Sequence, residues 1–187
     1  MDNSNDAGNV SFGKPKATGA VYVAPVGTTV PTNATSNLDA AFKGLGYVSE
    51  DGLVNGTETD TESVIAWGGQ KVLEGQTTFS ETFMVNLIET NPNALAVFYG
   101  EDNVEVSGDN ITVKQTGAPL PNLVVVFELV LSGGRIKRIV VPNAQVVDRS
   151  GEVTYVDGEP ISYPALFSAY PDDDGNTHIE YITKVAS

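Results

Sequence analysis

The chain has 187 residues, 41% of them hydrophobic, with a formal net charge of −14 and no cysteine. Its length and composition are those of a one-domain globular protein, and the lack of cysteine excludes disulfides, thiolate metal sites and a cysteine nucleophile. The acidity argues against tight binding of nucleic acid, whose phosphates are neutralised by clustered Lys and Arg. No apolar run approaches the roughly 18 residues that span a bilayer, so we expect no membrane insertion.

The negative charge is concentrated in the middle of the chain. Residues 50–109 contain 12 acidic residues and one basic residue, Lys71. Such a stretch is either strongly solvated or faces an anionic partner that must not bind.

The first ninety residues carry mostly strand signals. Residues 19–26 predict a strand and residues 31–37, rich in Pro, Thr and Asn, predict a loop. Residues 38–43 are compatible with one or two helical turns ended by Gly44. Residues 71–88 tend to alternate, so they predict a long strand, or a bent pair, with one face on the core. Their odd positions include Leu73, Phe79, Phe83, Val85 and Leu87, and their even positions include Glu74, Gln76, Thr78, Ser80, Thr82 and Asn86. Gly75 marks a bend or bulge in this segment.

One helix is predicted at about residues 91–100. Thr90 or Asn91 can cap it, Pro92 suits its first position, and Gly100 ends it.

The rest of the chain predicts further strands. A hairpin turns around residues 108–110, and residues 123–131 are apolar on both faces except at Glu128, as in a central strand. Strands separated by turns at residues 132–134, 149–151, 157–158 and 172–176 complete the chain. We therefore predict a mainly β protein, an antiparallel β-sandwich or barrel with one flanking α-helix. Its expected organisation is an N-terminal arm over residues 1–18 and a single domain over residues 19–187.

No pattern predicts catalysis, a cofactor or a metal site. The sole histidine, His178, has no G-x-S-x-G nucleophile elbow to serve. Residues 172–176 (DDDGN) resemble a calcium loop, but the glycine is misplaced and the bidentate Glu is missing, so we interpret them as a hairpin turn. The basic residues Arg135, Lys137 and Arg138 form either surface ion pairs or a patch that meets an acidic neighbour. In a strand, Arg138 would point away from the other two.

Five segments, in this order, resemble the tail tube proteins of long, non-contractile-tailed bacteriophages, especially those of actinobacteria. They are residues 12–32 (FGKPKATGAVYVAPVGTTVPT), 38–53 (LDAAFKGLGYVSEDGL), 62–69 (ESVIAWGG), 133–146 (GGRIKRIVVPNAQV) and 175–182 (GNTHIEYI). The resemblance implies a structural virion protein that forms stacked, usually hexameric rings around a tape-measure protein. Tail terminator and baseplate or tip proteins would bound the tube. The protein would be made in the host bacterial cytoplasm and reside in the virion tail.

An acidic lumen would suit such a tube, because it repels DNA within a Debye length of about 8 Å and lets the duplex slide without specific binding. The expected lumen-facing residues are the polar positions of the alternating strand, Glu74, Gln76, Thr78, Ser80 and Thr82. The expected inter-subunit contacts are Lys14, Lys16, Arg135, Lys137 and Arg138. We also expect the N-terminal arm, a loop at residues 55–63 and the C-terminal residues to join rings.

Two other functions fit the same composition. One is a non-catalytic β-sandwich binding module for carbohydrate, with Trp67 and either Tyr99 or Tyr170 as an aromatic platform. The other is a virion decoration or head–tail joining protein. A binding module would stay monomeric, and a joining protein would stop at one ring.

Overall fold

The computed structural model describes residues 5–148 and 152–185. Within these ranges it contains eleven β-strands, one α-helix and three short 3₁₀ turns. The strands are β1 (Gly13–Pro15), β2 (Val21–Pro25), β3 (Lys43–Gly44), β4 (Val48–Ile65), β5 (Lys71–Leu87), β6 (Val104–Ser107), β7 (Asn110–Val113), β8 (Asn122–Leu131), β9 (Arg135–Asp148), β10 (Tyr163–Ala169) and β11 (Ile179–Lys184). The helix α1 is Pro92–Tyr99, and the 3₁₀ turns are Ala7–Asn9, Glu101–Asn103 and Ser132–Gly134.

Nine of these strands form one antiparallel sheet in the order β3-β2-β8-β9-β10-β5-β4. Strand β1 pairs with β8, and β11 pairs with β9, while β6 and β7 form a separate hairpin. The prediction of a mainly β, antiparallel sandwich with one helix is therefore confirmed.

The core is formed mainly by side chains of this sheet and of helix α1. Phe83, Phe127 and Phe167 are fully buried there, with ring centroids 5.4 Å apart for the first pair and 6.5 Å for the second. Strand β8 pairs with β2 and β1 on one edge and β9 on the other, and its residues 124–128 are buried on both faces. This confirms residues 123–131 as a central strand.

Helix α1 begins and ends as predicted. The Asn91 side chain accepts a hydrogen bond from Ala94 N at 2.9 Å, Pro92 occupies the first turn, and Gly100 follows with φ of 100°. Its buried residues, including Leu95 and Phe98, join the core.

Two local predictions are wrong. Residues 38–43 form a single turn instead of a helix: Asp39 accepts hydrogen bonds from Ala41 N and Phe42 N, and the chain then pairs with β2 as strand β3. Pairing with β2 stabilises the extended conformation more than one or two helical turns would stabilise a helix, since short isolated helices are only marginally stable. Residues 152–162 contain no strand, although Asp157 and Gly158 form the predicted turn. The predicted turn at residues 149–151 lies outside the described residues.

Candidate assembly surfaces

The longest exposed feature is the hairpin of strands β4 and β5. Residues 57–80 are exposed throughout except for the half-buried Ala66. About ten residues in each strand at about 3.3 Å per residue extend this ribbon roughly 30 Å beyond the body. Gly68 and Gly69, with φ of 111° and 88°, form its turn, in which Ala66 N donates to Gln70 O at 2.8 Å. The expected loop at residues 55–63 is thus wrong, because these residues belong to strand β4.

The tip of this hairpin is apolar and uncovered. Trp67 is fully exposed, and more than half of the Ile65 and Leu73 surface is exposed as well. A two-stranded hairpin is marginally stable alone, and exposed apolar patches usually mark interaction sites. Strand β4 also ends the described sheet, so its outer edge offers unpaired backbone groups. This hairpin is therefore the main candidate for contact with another molecule.

The polar residues at even positions of β5 do not share one face. Thr78 pairs with Asp60 but Gln76 pairs with Thr61, so Thr77 is an extra residue in a β-bulge. Because residues 60 and 61 point to opposite faces, the bulge moves Gln76 and Glu74 to the face opposite Thr78, Ser80 and Thr82. The expectation that these five residues line one surface is wrong for this reason.

The face that carries Thr78, Ser80 and Thr82 is acidic. Their partners on β4 include Glu58 and Asp60, and Glu62 follows on the same side. Thr78 Oγ1 donates to Asp60 Oδ2 at 2.8 Å. These three carboxylates are not among the expected lumen residues, although the alternation of acidic and hydroxyl residues in TETDTES (residues 57–63) indicates a strand with one acidic face.

The opposite face of the hairpin carries mainly neutral side chains. Thr57, Thr59, Thr61 and Ser63 of β4 lie there beside Phe79, Gln76 and Glu74 of β5. Lys71 lies 2.6 Å from Glu74 and balances its charge. Phe79 is about half exposed on this face.

Arg138 is not available as a surface contact. It is 3% exposed, forms a salt bridge with Glu128, and donates through Nη1 to Asn33 O at 2.8 Å and Ser36 O at 2.9 Å. The structure therefore contradicts Arg138 as an inter-subunit contact: it anchors the loop after β2 to the sheet. It does point away from Lys137, as the strand period predicts.

Glu128 is the centre of this buried cluster. Lys16 Nζ also binds it, at 2.5 Å. Burial raises the pKa of Glu128, but the hydrogen bonds from Lys16 and Arg138 outweigh burial, so the pKa lies below its ordinary value. Glu128 is therefore charged at neutral pH.

The other expected contact residues are closer to the surface. Lys137 Nζ lies 2.5 Å from Glu180 Oε1, and Arg135 Nη2 donates to Asn9 Oδ1 at 3.4 Å. Lys14 lies in the exposed strand β1 opposite Val130. Their role between subunits stays a prediction.

A second buried carboxylate, Glu81, lies at the base of the hairpin. It is 1% exposed and accepts hydrogen bonds from Asn55 Nδ2 at 2.9 Å and from Thr177 Oγ1. His178 Nδ1 lies 2.9 Å from its Oε2. Burial raises the pKa of Glu81, but the hydrogen bonds from Thr177, Asn55 and His178 lower it by a larger amount. The pKa of Glu81 therefore lies below its ordinary value. This role of Glu81 cannot be predicted from the sequence, because its partners come from distant segments.

The segment at residues 172–176 is the predicted turn. Asp172 Oδ1 accepts hydrogen bonds from Asp174 N at 3.0 Å and Asn176 N at 2.8 Å. In the part of the chain that the structure describes, no three His, Cys, Asp or Glu residues form a metal-binding group.

The proposed aromatic platform is not assembled in the protomer. Tyr99 packs edge-on against Phe98 and Tyr163, and the Tyr170 hydroxyl bonds to Gln145, whereas Trp67 lies at the hairpin tip.

The sequence profile of the phage tail tube protein family matches residues 14–186. The chain therefore belongs to this family, whose members are structural components of the virion tail. A comparison with curated proteins finds no match. No helix among the described residues is long and apolar enough to cross a membrane.

Proposed function

We propose that the protein assembles into stacked, hexameric rings that form a conduit for DNA ejection. The observation that carries this proposal is the β4–β5 hairpin, which projects about ten residues per strand with an apolar tip and unpaired edges. A second copy of the chain is the partner that a tail tube protein meets most often, and covering the tip would remove Trp67, Ile65 and Leu73 from water.

The acidic face of the hairpin is our proposed lumen lining. Glu58, Asp60 and Glu62 would form a row of carboxylates about 7 Å apart, the spacing of alternate strand residues. With Thr78, Ser80 and Thr82 they present acceptors and hydroxyls but no cation, so DNA phosphates would be repelled and not held. Glu74 and Gln76 lie on the other face and would point away from the DNA.

The neutral face would then meet the neighbouring subunit. It has hydroxyl side chains and the half-exposed Phe79, which cost little to desolvate compared with carboxylates. We propose Lys14, Lys16, Arg135 and Lys137 as charge partners that fix the register between subunits. Residues 1–18 would act as an arm between rings, and residues 19–187 would form the ring-building domain.

The remaining partners follow from the tube itself. The lumen would hold a tape-measure protein before DNA passes, and tail terminator and baseplate or tip proteins would close the two ends. The protein would be made in the host bacterial cytoplasm and would act without catalysis, cofactor or metal.

Electron microscopy of the purified protein tests this function. We expect hollow tubes with a regular axial repeat in the wild type, and loss of tubes with a folded monomer in Trp67→Ser. Tyr155→Ser, which removes another exposed aromatic residue outside the hairpin, is the control and should leave tubes intact. A wild type that stays monomeric at high salt, with or without tape-measure protein, would favour a binding module instead.

A further inference from the structure

The sheet divides into two branches at Glu81. Strands β10 and β11 lie one after the other along the same edge of β9, opposite residues 144–148 and 135–140. Strand β5 pairs with β10 from Leu87 to Glu81, where Glu81 faces Ala169. Beyond that pair β5 continues into the hairpin, and within residues 5–148 and 152–185 it does not pair with β11.

The two oxygens of Glu81 bind the two branches. Oε1 accepts from Asn55 of β4, on the hairpin branch. Oε2 accepts from Thr177 and lies 2.9 Å from His178 Nδ1, both in the segment that leads into β11. An ionised carboxylate only accepts hydrogen bonds, so His178 donates from Nδ1. The His178 ring also packs edge-on against Phe83, with centroids 5.6 Å apart.

Stability alone does not explain a carboxylate at this position. Glu81 lies on the same face of β5 as Phe83, Val85 and Leu87, which belong to the apolar core. Replacing a buried ion pair by apolar side chains of similar volume is often neutral or stabilising. The donors around Glu81 are exposed or partly exposed, so they can bond to water when the carboxylate is removed, unlike the buried Arg138 beside Glu128. What an apolar side chain cannot do is hold two diverging branches at a fixed angle, because apolar contacts are not directional.

We propose that Glu81 is a positioning residue that fixes the angle between the β4–β5 hairpin and the body, so that the hairpin is preset for its neighbour before assembly. Asn55, Thr177 and His178 are the donors of this lock. Glu180 is the next charged group beside this lock. Its Oε1 lies 3.8 Å from His178 Nε2 and 2.5 Å from Lys137 Nζ. The significance of the angle for assembly rests on the proposed function, but the lock itself does not.

Single-molecule energy transfer on the monomer tests the lock directly. The chain has no cysteine, so dyes can be placed on Gln70→Cys at the hairpin tip and Thr112→Cys on the exposed strand β7. We expect one narrow transfer distribution in the wild type. Glu81→Met, which keeps the volume and removes the acceptors, should broaden or shift the distribution without lowering the unfolding midpoint in urea.

Glu128→Met is the matched control. It removes the other buried glutamate of the sheet and leaves Arg138 without its carboxylate, so it should lower the unfolding midpoint and leave the distribution narrow. Thr177→Val, a milder change that removes one donor to Oε2, should broaden the distribution less than Glu81→Met.

Two outcomes would overturn the proposal. One is a distribution in Glu81→Met as narrow as in the wild type and centred at the same transfer efficiency. The other is a transfer distribution that broadens in both Glu81→Met and Glu128→Met, by an amount that matches how far each variant lowers the unfolding midpoint in urea. Because the measurement is made on monomers, a narrow wild-type distribution that Glu81→Met broadens supports the lock even if the protein forms no tubes, in which case only the proposed function fails.

Discussion

At the scale of single residues, the charges of this acidic chain divide into buried structural groups and exposed ones. Arg138 and Glu128 are buried and bind each other, and Lys16 shares the same carboxylate. Through Asn33 O and Ser36 O, Arg138 also binds the loop that follows β2. Arg138, one of the few basic residues of this acidic chain, therefore stabilises the fold of the chain itself.

We predict that Arg138→Ala lowers the free energy of unfolding by about 3 to 5 kcal/mol, because it leaves Glu128 buried with Lys16 as its remaining side-chain partner among the described residues, and frees two loop carbonyls. Urea unfolding at neutral pH measures this loss. Arg135→Ala is the control, with an expected loss of about 0 to 1 kcal/mol, since within the described residues the Arg135 side chain makes one long hydrogen bond near the surface. Equal losses of unfolding free energy in the two variants would show that the buried Arg138–Glu128 pair contributes no more to stability than a surface contact.

At the scale of elements, one extra residue decides which side chains share a surface. The bulge at Thr77 places Glu58, Asp60 and Glu62 on one face with Thr78, and places Thr59 and Thr61 on the other with Gln76. The hairpin therefore has an acidic face and a neutral face, the asymmetry expected of a wall between an anionic duplex and a protein neighbour.

We predict that the thiols of Glu58→Cys and Thr59→Cys, which are adjacent in sequence but lie on opposite faces, differ in their reactivity in assembled tubes. In the tubes, Cys at position 58 should react with a small thiol reagent but not with one attached to a large polyethylene glycol, because only small molecules reach it through the lumen. Cys at position 59 should resist both, because a neighbour covers it. In monomers both positions should react with both reagents.

Rapid reaction of position 58 with the large reagent in intact tubes would contradict the lumen assignment. Asp102→Cys, in an exposed 3₁₀ turn of the body, provides a reference position expected to react with both reagents in either state.

At the scale of the whole molecule, assembly works against charge. Each copy carries a formal charge of −14, so a ring of six would carry six times that value. The Debye length falls from about 10 Å at 0.1 M salt to about 3 Å at 1 M. Burial of apolar surface must therefore drive assembly, and added salt should help it by screening the repulsion.

We predict that removal of residues 1–11 shortens or abolishes tubes and leaves the protomer folded. Residues 5–11, the described part of the deleted segment, are exposed, Val10 among them, and contribute nothing to the core. Residues 5–11 contact the body through Ser132 Oγ, which donates to Val10 O at 3.3 Å, and through Arg135 Nη2, which donates to Asn9 Oδ1 at 3.4 Å. Electron microscopy of tube length, with circular dichroism of the monomer as the folding control, measures the effect. Tubes of normal length would exclude the arm from ring joining.

Local signals were sufficient for much of the fold. The cap at Asn91, the stop at Gly100, the turn at residues 172–176 and the doubly apolar strand around Val126 could all be predicted, because each depends on residues close in sequence. Residues 38–43 could not, because pairing of Lys43 with Val23 overrides a weak helical preference.

The sequence by itself determined a mainly β domain, an acidic middle region and the phage tail tube family, because periodicity, composition and segment order are properties of the chain alone. Only the tertiary structure decided which charged side chains are exposed and which side chains share a face of the β4–β5 hairpin. The register of β4 against β5 places the bulge at Thr77, Arg138 meets Asn33 across the fold, and Glu81 meets His178. These contacts join residues far apart in sequence, and no local pattern encodes such pairings.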